Sequence, residues 1–182
     1  MTPDKEKSYH QPQIRALVEG GNEVINALTI NYNNEGIGIV MAAREEDVPV
    51  VISFTVETNG HLPSGETLKE AIKKIDRMTE GYTTHYMINC AHPEHFGHRL
   101  EGTEAWKHRI RGIRANASIK SHAELDESET LDIGDKCRLA KGFRDLIQLL
   151  PGLKVIGGCC GSDHSHHEII CETLFSQARP IN

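Results

Sequence analysis

Residues 48–78 have the sequence VPVVISFTVETNGHLPSGETLKEAIKKIDRM. Their first part, residues 48–55, is an almost unbroken apolar run, which is typical of a strand buried on both faces of a parallel sheet. A polar loop that contains glycine follows, and residues 67–78 then carry apolar side chains at helical spacing. Thr67 and Glu70, three residues apart, match a capping box and predict where this helix begins. The stretch therefore predicts a strand–loop–helix unit.

The strand–helix alternation continues on both sides of this unit. We predict the remaining strands at residues 24–30, 85–90, 112–117 and 153–157, and the remaining helices at residues 11–19, 33–46, 103–109, 136–150 and 165–178. Strands that alternate with helices predict an α/β fold with a parallel sheet. We expect a (β/α)8 barrel of the TIM type rather than a doubly wound sheet. The chain opens on a helix, and its polar and reactive side chains follow the carboxyl ends of strands.

The size and charge of the chain limit its functions. Its 182 residues suffice for one domain over residues 1–182, in which residues 118–135 form a long acidic loop. The net charge of −6, without a cluster of Lys or Arg, argues against nucleic acid and anionic membranes as partners. No apolar stretch approaches the roughly 20 residues of a membrane helix, and the first residues lack a signal peptide's apolar region. A cytoplasmic location is therefore expected.

The cysteines are the residues with the clearest chemistry. Cys90 ends one predicted strand, and the adjacent pair Cys159 and Cys160 ends the last one. Parallel strands end at the same edge of a sheet, so three thiols can converge there, and zinc favours such ligands in a tetrahedron with one open position. The alternative for each cysteine is a small buried apolar residue, which we expect for Cys137 and Cys171 in their helices.

Several motifs together resemble one enzyme family. Asn89-Cys90 followed by Gly157-Gly158-Cys159-Cys160-Gly161 is similar to the signature of the homocysteine S-methyltransferases. The resemblance spans roughly residues 9–178, with weaker matches at residues 50–55, residues 62–65, Asn116 and His166. It implies that only the last five β/α units of a TIM barrel are present. The family's first three strands have no counterpart in this sequence, which is truncated at its N-terminus relative to the family.

The resemblance also implies a reaction and a set of roles. Cys90, Cys159 and Cys160 would hold Zn²⁺, and the homocysteine sulfur would take the fourth position as a thiolate. That sulfur would accept a methyl group from a sulfonium or ammonium donor, giving methionine, as in methionine biosynthesis. The residues expected to contact the substrate are Asn89, Glu57, Asn116 and Thr29, and no further catalytic side chain is expected.

One departure from the family lies at Leu28. The family commonly has a glutamate there, which contacts the amino group of the substrate, and a leucine cannot do so. Either Glu57 or another acidic residue takes this role, or the substrate is not homocysteine itself. The histidines after each cysteine motif leave open a mixed Cys/His site, although we expect His92 and His95 at the rim and His166 at the start of the last helix.

Two other functions fit the same residues. The chain is either a zinc-dependent methyltransferase, or a non-catalytic zinc-binding remnant, or a thiol-redox protein with a Cys159–Cys160 disulfide. Five strands of an eight-stranded barrel leave two open edges, and unpaired strand edges attract other strands. The sequence therefore predicts self-association through these edges.

Overall fold

The computed structural model describes residues 1–175 and is built around a parallel sheet. Five strands lie in the order β1-β2-β3-β4-β5, and each pairs in parallel with the next. A doubly wound sheet would reverse its strand order at a switch point, whereas a barrel adds each strand beside the last. The order confirms the prediction of a partial barrel. The strands are β1 (Ile25–Ile30), β2 (Val50–Phe54), β3 (His85–Asn89), β4 (Ile110–Ala115) and β5 (Val155–Gly158).

Helices connect the strands and cover the sheet. Two short 3₁₀ helices, Gly97–Leu100 and Ala105–Arg109, stand between β3 and β4. The part of the predicted last helix beyond Phe175 lies outside the described residues. The α-helices are α1 (Pro3–Glu19), α2 (Asn33–Glu45), α3 (Leu68–Met78), α4 (Pro93–Phe96), α5 (His122–Asp126), α6 (Lys136–Leu149) and α7 (His164–Phe175).

Several predicted boundaries need correction. The first helix begins at Pro3 instead of residue 11, because a proline suits the first helical turn, where its missing N–H is not needed. The fourth strand is Ile110–Ala115 instead of 112–117, and the helix before it is a 3₁₀ helix. The acidic loop also contains α5, whose start is a capping box formed by Ser121 and Glu124. Cys137 and Cys171 lie in helices as predicted, but their side chains are exposed rather than packed.

The core forms between the sheet and the inner faces of the helices. Every residue of β2 is buried, as its apolar run predicts, and Phe54 stacks on Tyr86 with ring centroids 5.9 Å apart. The capping box of α3 is present, and Ile72 and Ile75 on this helix are at most 1% exposed. Burying each such aliphatic side chain contributes about 1.5–3 kcal/mol. This packing fixes the positions of the strand ends.

The two edges of the sheet are partly apolar. Among the described residues, β1 and β5 each pair with one neighbouring strand. Val24, Leu28 and Val155 are 39–50% exposed at or beside these edges. A groove of about 260 Å³ also lies between α1 and β1, and Leu28 is among its lining residues. Within residues 1–175, no helix combines the length and apolar character of a membrane span.

Candidate metal centre

Three cysteines meet at the carboxyl edge of the sheet. Cys90 directly follows β3, and Cys159 and Cys160 directly follow β5. Their Sγ atoms all lie within 4.8 Å of one another, and those of Cys90 and Cys159 are 2.7 Å apart. Within the described part of the chain, this is the one group of three His, Cys, Asp or Glu side chains close enough to share a metal ion. The predicted convergence of the three thiols is therefore present.

The strand between the two cysteine motifs holds both of them in place. The Cys90 amide donates to Arg114 O at 3.1 Å, and the Cys159 amide donates to Ala115 O at 2.7 Å. Two residues after Ala115, the Ala117 amide donates to Cys160 O at 3.0 Å. The end of β4 thus spaces β3 and β5 so that their cysteines face each other.

Cys90 has an unusual backbone conformation. Its φ angle is 54°, in the left-handed region that non-glycine residues rarely adopt. Two side chains stabilise this turn by donating to the Cys90 carbonyl oxygen: Asn116 Nδ2 at 3.1 Å and His122 Nε2 at 2.6 Å. Strain of this kind costs about 1–3 kcal/mol and is concentrated at functional sites. Here it aims the Cys90 sulfur across the strand ends.

At two of the three glycines around the cysteine pair, the structure leaves no room for a Cβ atom. A Cβ atom on Gly158 would lie 2.0 Å from Ser162 Oγ, and one on Gly161 would lie 2.2 Å from Asp132 O. Gly161 also has a φ of 76°, so it is both the sharp turn after the cysteines and the contact with the acidic loop. A Cβ on Gly157 would make an ordinary contact with Arg114, at 3.4 Å. The sequence places three glycines around this turn, and the structure requires two of them, Gly158 and Gly161.

The contact between two of the sulfurs changes their acidity in opposite directions. The Cys90 thiol donates to Cys159 and is half-buried, and both effects raise the pKa of Cys90. Accepting that hydrogen bond lowers the pKa of Cys159 to about 7. Of the two thiols, Cys159 is therefore the more acidic and Cys90 the less acidic.

The donor set fits a zinc ion. Zn–S bonds are about 2.3 Å long, so tetrahedral angles separate the sulfur atoms by about 3.8 Å. The Cys90–Cys159 pair, now 2.7 Å apart, would open by about 1 Å around such an ion. Cys160 is exposed while the other two thiols are half-buried, so the group of thiols can be reached from solvent on the side of Cys160.

A cavity of about 380 Å³ adjoins the thiols. Its lining includes Cys90, Cys160 and Asn116, together with residues 125, 126 and 128–132 of the acidic loop. Asn116 is 3% exposed, and its Oδ1 has no hydrogen-bond partner although Nδ2 is used. A buried acceptor without a donor carries a free-energy cost, which a ligand N–H would remove. The cavity is large enough for an amino acid, and Asn116, one of its lining residues, carries an unused acceptor.

The other predicted substrate residues surround the same sulfur atoms. Glu57 Oε1 lies 3.5 Å from His122 Nδ1. The other nitrogen of the same ring, Nε2, donates to the Cys90 carbonyl oxygen. Thr29 Oγ1 lies 4.0 Å from Cys90 Sγ. Asn89 is 2% exposed and donates to Cys90 Sγ at 3.0 Å. The fold therefore gathers all four predicted residues around Cys90.

The histidines have structural partners instead of joining the cysteine cluster. His95 Nε2 is 2.8 Å from Ile119 O, and His166 Nε2 is 2.8 Å from Ile133 O. His92 is 1% exposed and accepts from the Glu94 amide through Nδ1. The contacts of His95 and His166 hold the two ends of the acidic loop. The mixed Cys/His site is not formed among the described residues.

Two residues of the site lacked a clear signal in the sequence. His122 lies within the acidic loop, where the capping box Ser121–Glu124 is the only local pattern. Ser53 is the single polar residue inside the buried strand β2, and that isolation is a signal that could have singled it out. Both act on Cys90, His122 through its carbonyl and Ser53 through Asn89.

Comparison with known proteins assigns the family. The family model described as homocysteine S-methyltransferase matches residues 1–174. The chain belongs to the homocysteine S-methyltransferase family. Homocysteine S-methyltransferase 1 of Arabidopsis thaliana is 26% identical over 176 residues, covering 94% of this chain and 52% of the relative. Homocysteine S-methyltransferase YbgG of Bacillus subtilis is 24% identical, covering 88% of this chain and 49% of the relative.

Solved structures of homocysteine S-methyltransferases have the same fold. The apo form of the homocysteine methyltransferase MmuM from Escherichia coli superposes with a TM-score of 0.70 at 16% identity, over 95% of this chain and 58% of that one. Its metallated form gives a TM-score of 0.68 at 17% identity, over 97% and 52% of the respective chains. The chain thus spans about half the length of the curated relatives that it matches.

Proposed function

We propose that the protein is a zinc-dependent S-methyltransferase that moves a methyl group from a sulfonium or ammonium donor to the thiol of homocysteine, giving methionine. The observation that carries this proposal is the convergence of three Sγ atoms within 4.8 Å at the carboxyl edge of the sheet. The family assignment supports it. Barrel enzymes carry their chemistry at this edge.

Each side chain of the site has a proposed role. Cys90, Cys159 and Cys160 hold the metal ion, and the chemistry that zinc supplies when bound is to keep a coordinated thiol deprotonated at neutral pH. The unpartnered Oδ1 of Asn116 supports a contact with the amino group of the amino acid. Glu57, which contacts the far side of the His122 ring, is the acid proposed to take over from the glutamate replaced by Leu28.

Thr29 and Asn89 complete the proposed substrate site from behind Cys90. Their polar atoms lie within 4.0 Å of the Cys90 sulfur, which supports a place for them in the proposed substrate site. The transfer itself requires no proton from a side chain. The homocysteine sulfur attacks the methyl carbon, the new S–C bond forms, and the donor leaves as a neutral thioether or tertiary amine with the electrons of the broken bond. Positioning of the two substrates is the main task of the protein.

The organisation of the chain gives further proposals. We treat residues 1–182 as one domain that acts in the cytoplasm, without nucleic acid as a partner. The exposed side chains of Val24, Leu28 and Val155 support self-association through the open edges of β1 and β5.

One observation favours a second function. The chain spans about half the length of its curated relatives. In this second proposal the protein binds zinc through the three cysteines and does not transfer a methyl group.

The test is methionine formation from homocysteine with S-adenosylmethionine, S-methylmethionine and betaine in turn. The wild type should form methionine with one of these donors, and Cys159→Ala should not. Cys137→Ala removes an exposed thiol outside the cluster and should keep the activity. Zinc binding without methionine from any donor would overturn the catalytic proposal in favour of the non-catalytic one.

A further inference from the structure

A buried hydrogen-bond network lies beneath the sulfur of Cys90. It contains one residue from the end of each of three neighbouring strands: Thr29 of β1, Ser53 of β2 and Asn89 of β3. Ser53 is 0% exposed and Asn89 is 2% exposed. Polar side chains buried to this degree are costly unless all their hydrogen bonds are made.

Both the oxygen and the nitrogen of the Asn89 side-chain amide make all their hydrogen bonds. Its Oδ1 accepts from the Thr29 backbone N–H at 3.0 Å and from Ser53 Oγ at 2.6 Å. Its Nδ2 donates to Thr29 Oγ1 at 2.8 Å and to Cys90 Sγ at 3.0 Å. Two acceptor and two donor positions are thus used, which is the full set expected for a buried amide.

The backbone of Thr29 fixes which way this amide points. A backbone N–H can only donate, so the atom of Asn89 that faces it must be the oxygen. Turning the amide over would place the side-chain N–H groups against the backbone N–H of Thr29, and a backbone N–H cannot accept, whereas the hydroxyls of Ser53 and Thr29 can either donate or accept. The nitrogen of Asn89 is therefore forced towards the Cys90 sulfur.

The Thr29 amide is available because the sheet is irregular at this point. Ala27 pairs with Ile52 and Ile30 pairs with Phe54, so β1 contains one extra residue between these pairs. Thr29 has a φ angle of 62° and no paired residue in β2, and its N–H donates to Asn89. Bulges of this kind often re-aim a group next to an active site. The cost of this backbone conformation is about 1–3 kcal/mol, and the bond to Asn89 offsets part of it.

We infer that Asn89, held by Ser53 and the bulge at Thr29, is a positioning residue that donates a hydrogen bond to the metal-bound sulfur of Cys90. This inference rests on the proposed zinc site and deepens it. An N–H donor directed at a thiolate withdraws charge from the sulfur and fixes its direction. Ser53, which touches neither sulfur nor cavity, acts on the site only through Asn89.

The test compares two variants with a matched control. Asn89→Asp keeps the size of the side chain and an acceptor for Thr29 and Ser53, and replaces the donor that faces Cys90 with an oxygen. Ser53→Ala is the milder change, since it removes only the bond that holds Oδ1. Thr79→Val is the control. It removes a buried hydroxyl whose bond to Ile75 O, at 2.8 Å, lies on α3 outside the network.

Zinc affinity is the first measurement, made by competition with a chromogenic chelator on the full chain. Asn89→Asp should weaken zinc binding by about 10–100-fold, the usual loss for a group that hydrogen-bonds a metal ligand. Ser53→Ala should weaken it by about fivefold, the value of one ordinary hydrogen bond. Thr79→Val should bind zinc as the wild type does.

The cobalt(II) spectrum is the second measurement and separates positioning from a loss of fold. The sulfur-to-cobalt charge-transfer band should move to longer wavelength in Asn89→Asp, because the sulfur loses a hydrogen bond that stabilises its electrons. It should move less far in the same direction in Ser53→Ala, where that hydrogen bond is only less well held. Unchanged or tighter zinc binding together with an unmoved band would overturn the role of Asn89 while leaving the proposed zinc site intact. A wild type that binds no zinc would overturn the proposed site itself, and this inference with it.

Discussion

The contact between Gly161 and the acidic loop allows a sharp test of how the site is built. Gly161 has a φ angle of 76°, and a Cβ atom there would lie 2.2 Å from the backbone oxygen of Asp132. Gly81 has a φ angle of 71° with open space around its Cβ position. An alanine at either position costs free energy because it is held in the left-handed conformation. Only the alanine at Gly161 must also displace the loop.

The expected magnitudes differ by the cost of that displacement. Gly81→Ala should lower the free energy of unfolding by about 1–2 kcal/mol, the cost of a left-handed residue with a Cβ atom. Gly161→Ala should lower it by about 2–5 kcal/mol, because moving a packed backbone segment adds about 1–3 kcal/mol. The same variant should weaken zinc binding, since Cys160 directly precedes the displaced turn.

Urea unfolding, followed by the fluorescence of the single tryptophan, Trp106, measures both variants. Trp106 is 7% exposed and far along the chain from both glycines, so its signal reports the whole fold. Equal losses for Gly161→Ala and Gly81→Ala, with zinc binding unchanged, would refute the contact between the cysteine turn and the acidic loop.

Three further predictions concern the core, the pH dependence of stability and the substrate. Phe54→Ala should lower the free energy of unfolding by about 3–5 kcal/mol in urea titrations, while the exposed Met78→Ala should change it little. Burial and two neighbouring arginines lower the pKa of His85 below its ordinary value of 6.5. The folded state then binds fewer protons than the unfolded state, so the free energy of unfolding should fall as the pH drops through 6.5 and below. His85→Gln should flatten that part of the profile, and an unchanged slope would contradict the assignment. Asn116→Leu removes both the unused acceptor and the Nδ2 bond to the Cys90 carbonyl oxygen. It should raise the KM for homocysteine about tenfold in initial-rate assays on zinc-loaded protein, and an unchanged KM would exclude the contact between Asn116 and the substrate.

Much of the fold follows from patterns that are local in the sequence. The apolar run of β2 and the amphipathic helix α3 with its capping box are both present as predicted. The start of α1 was missed because residues 3–10 carry few apolar side chains, and its extra turns pack on α2 through Glu6, which is buried. Patterns of apolar residues therefore predict elements more reliably than their ends.

The candidate site was predictable where its residues follow the ends of strands. The convergence of Cys90, Cys159 and Cys160 required only a parallel sheet and the positions of three thiols. The bulge at Thr29 and the hydrogen bond from His122 depend on register and loop path, which leave no periodic signal in the sequence. The left-handed turn at Cys90 is of the same kind, because three strands and a loop fix it together.

Zinc content is the most direct test of the central proposal. We would measure zinc per chain in protein purified without added metal, for the wild type, Cys159→Ala and the exposed-thiol control Cys137→Ala. The proposal predicts about one zinc ion per chain in the wild type and in the control, and its loss in Cys159→Ala. Folded wild type without zinc, or Cys159→Ala that keeps its zinc, would contradict the assignment of Cys90, Cys159 and Cys160 as a metal centre.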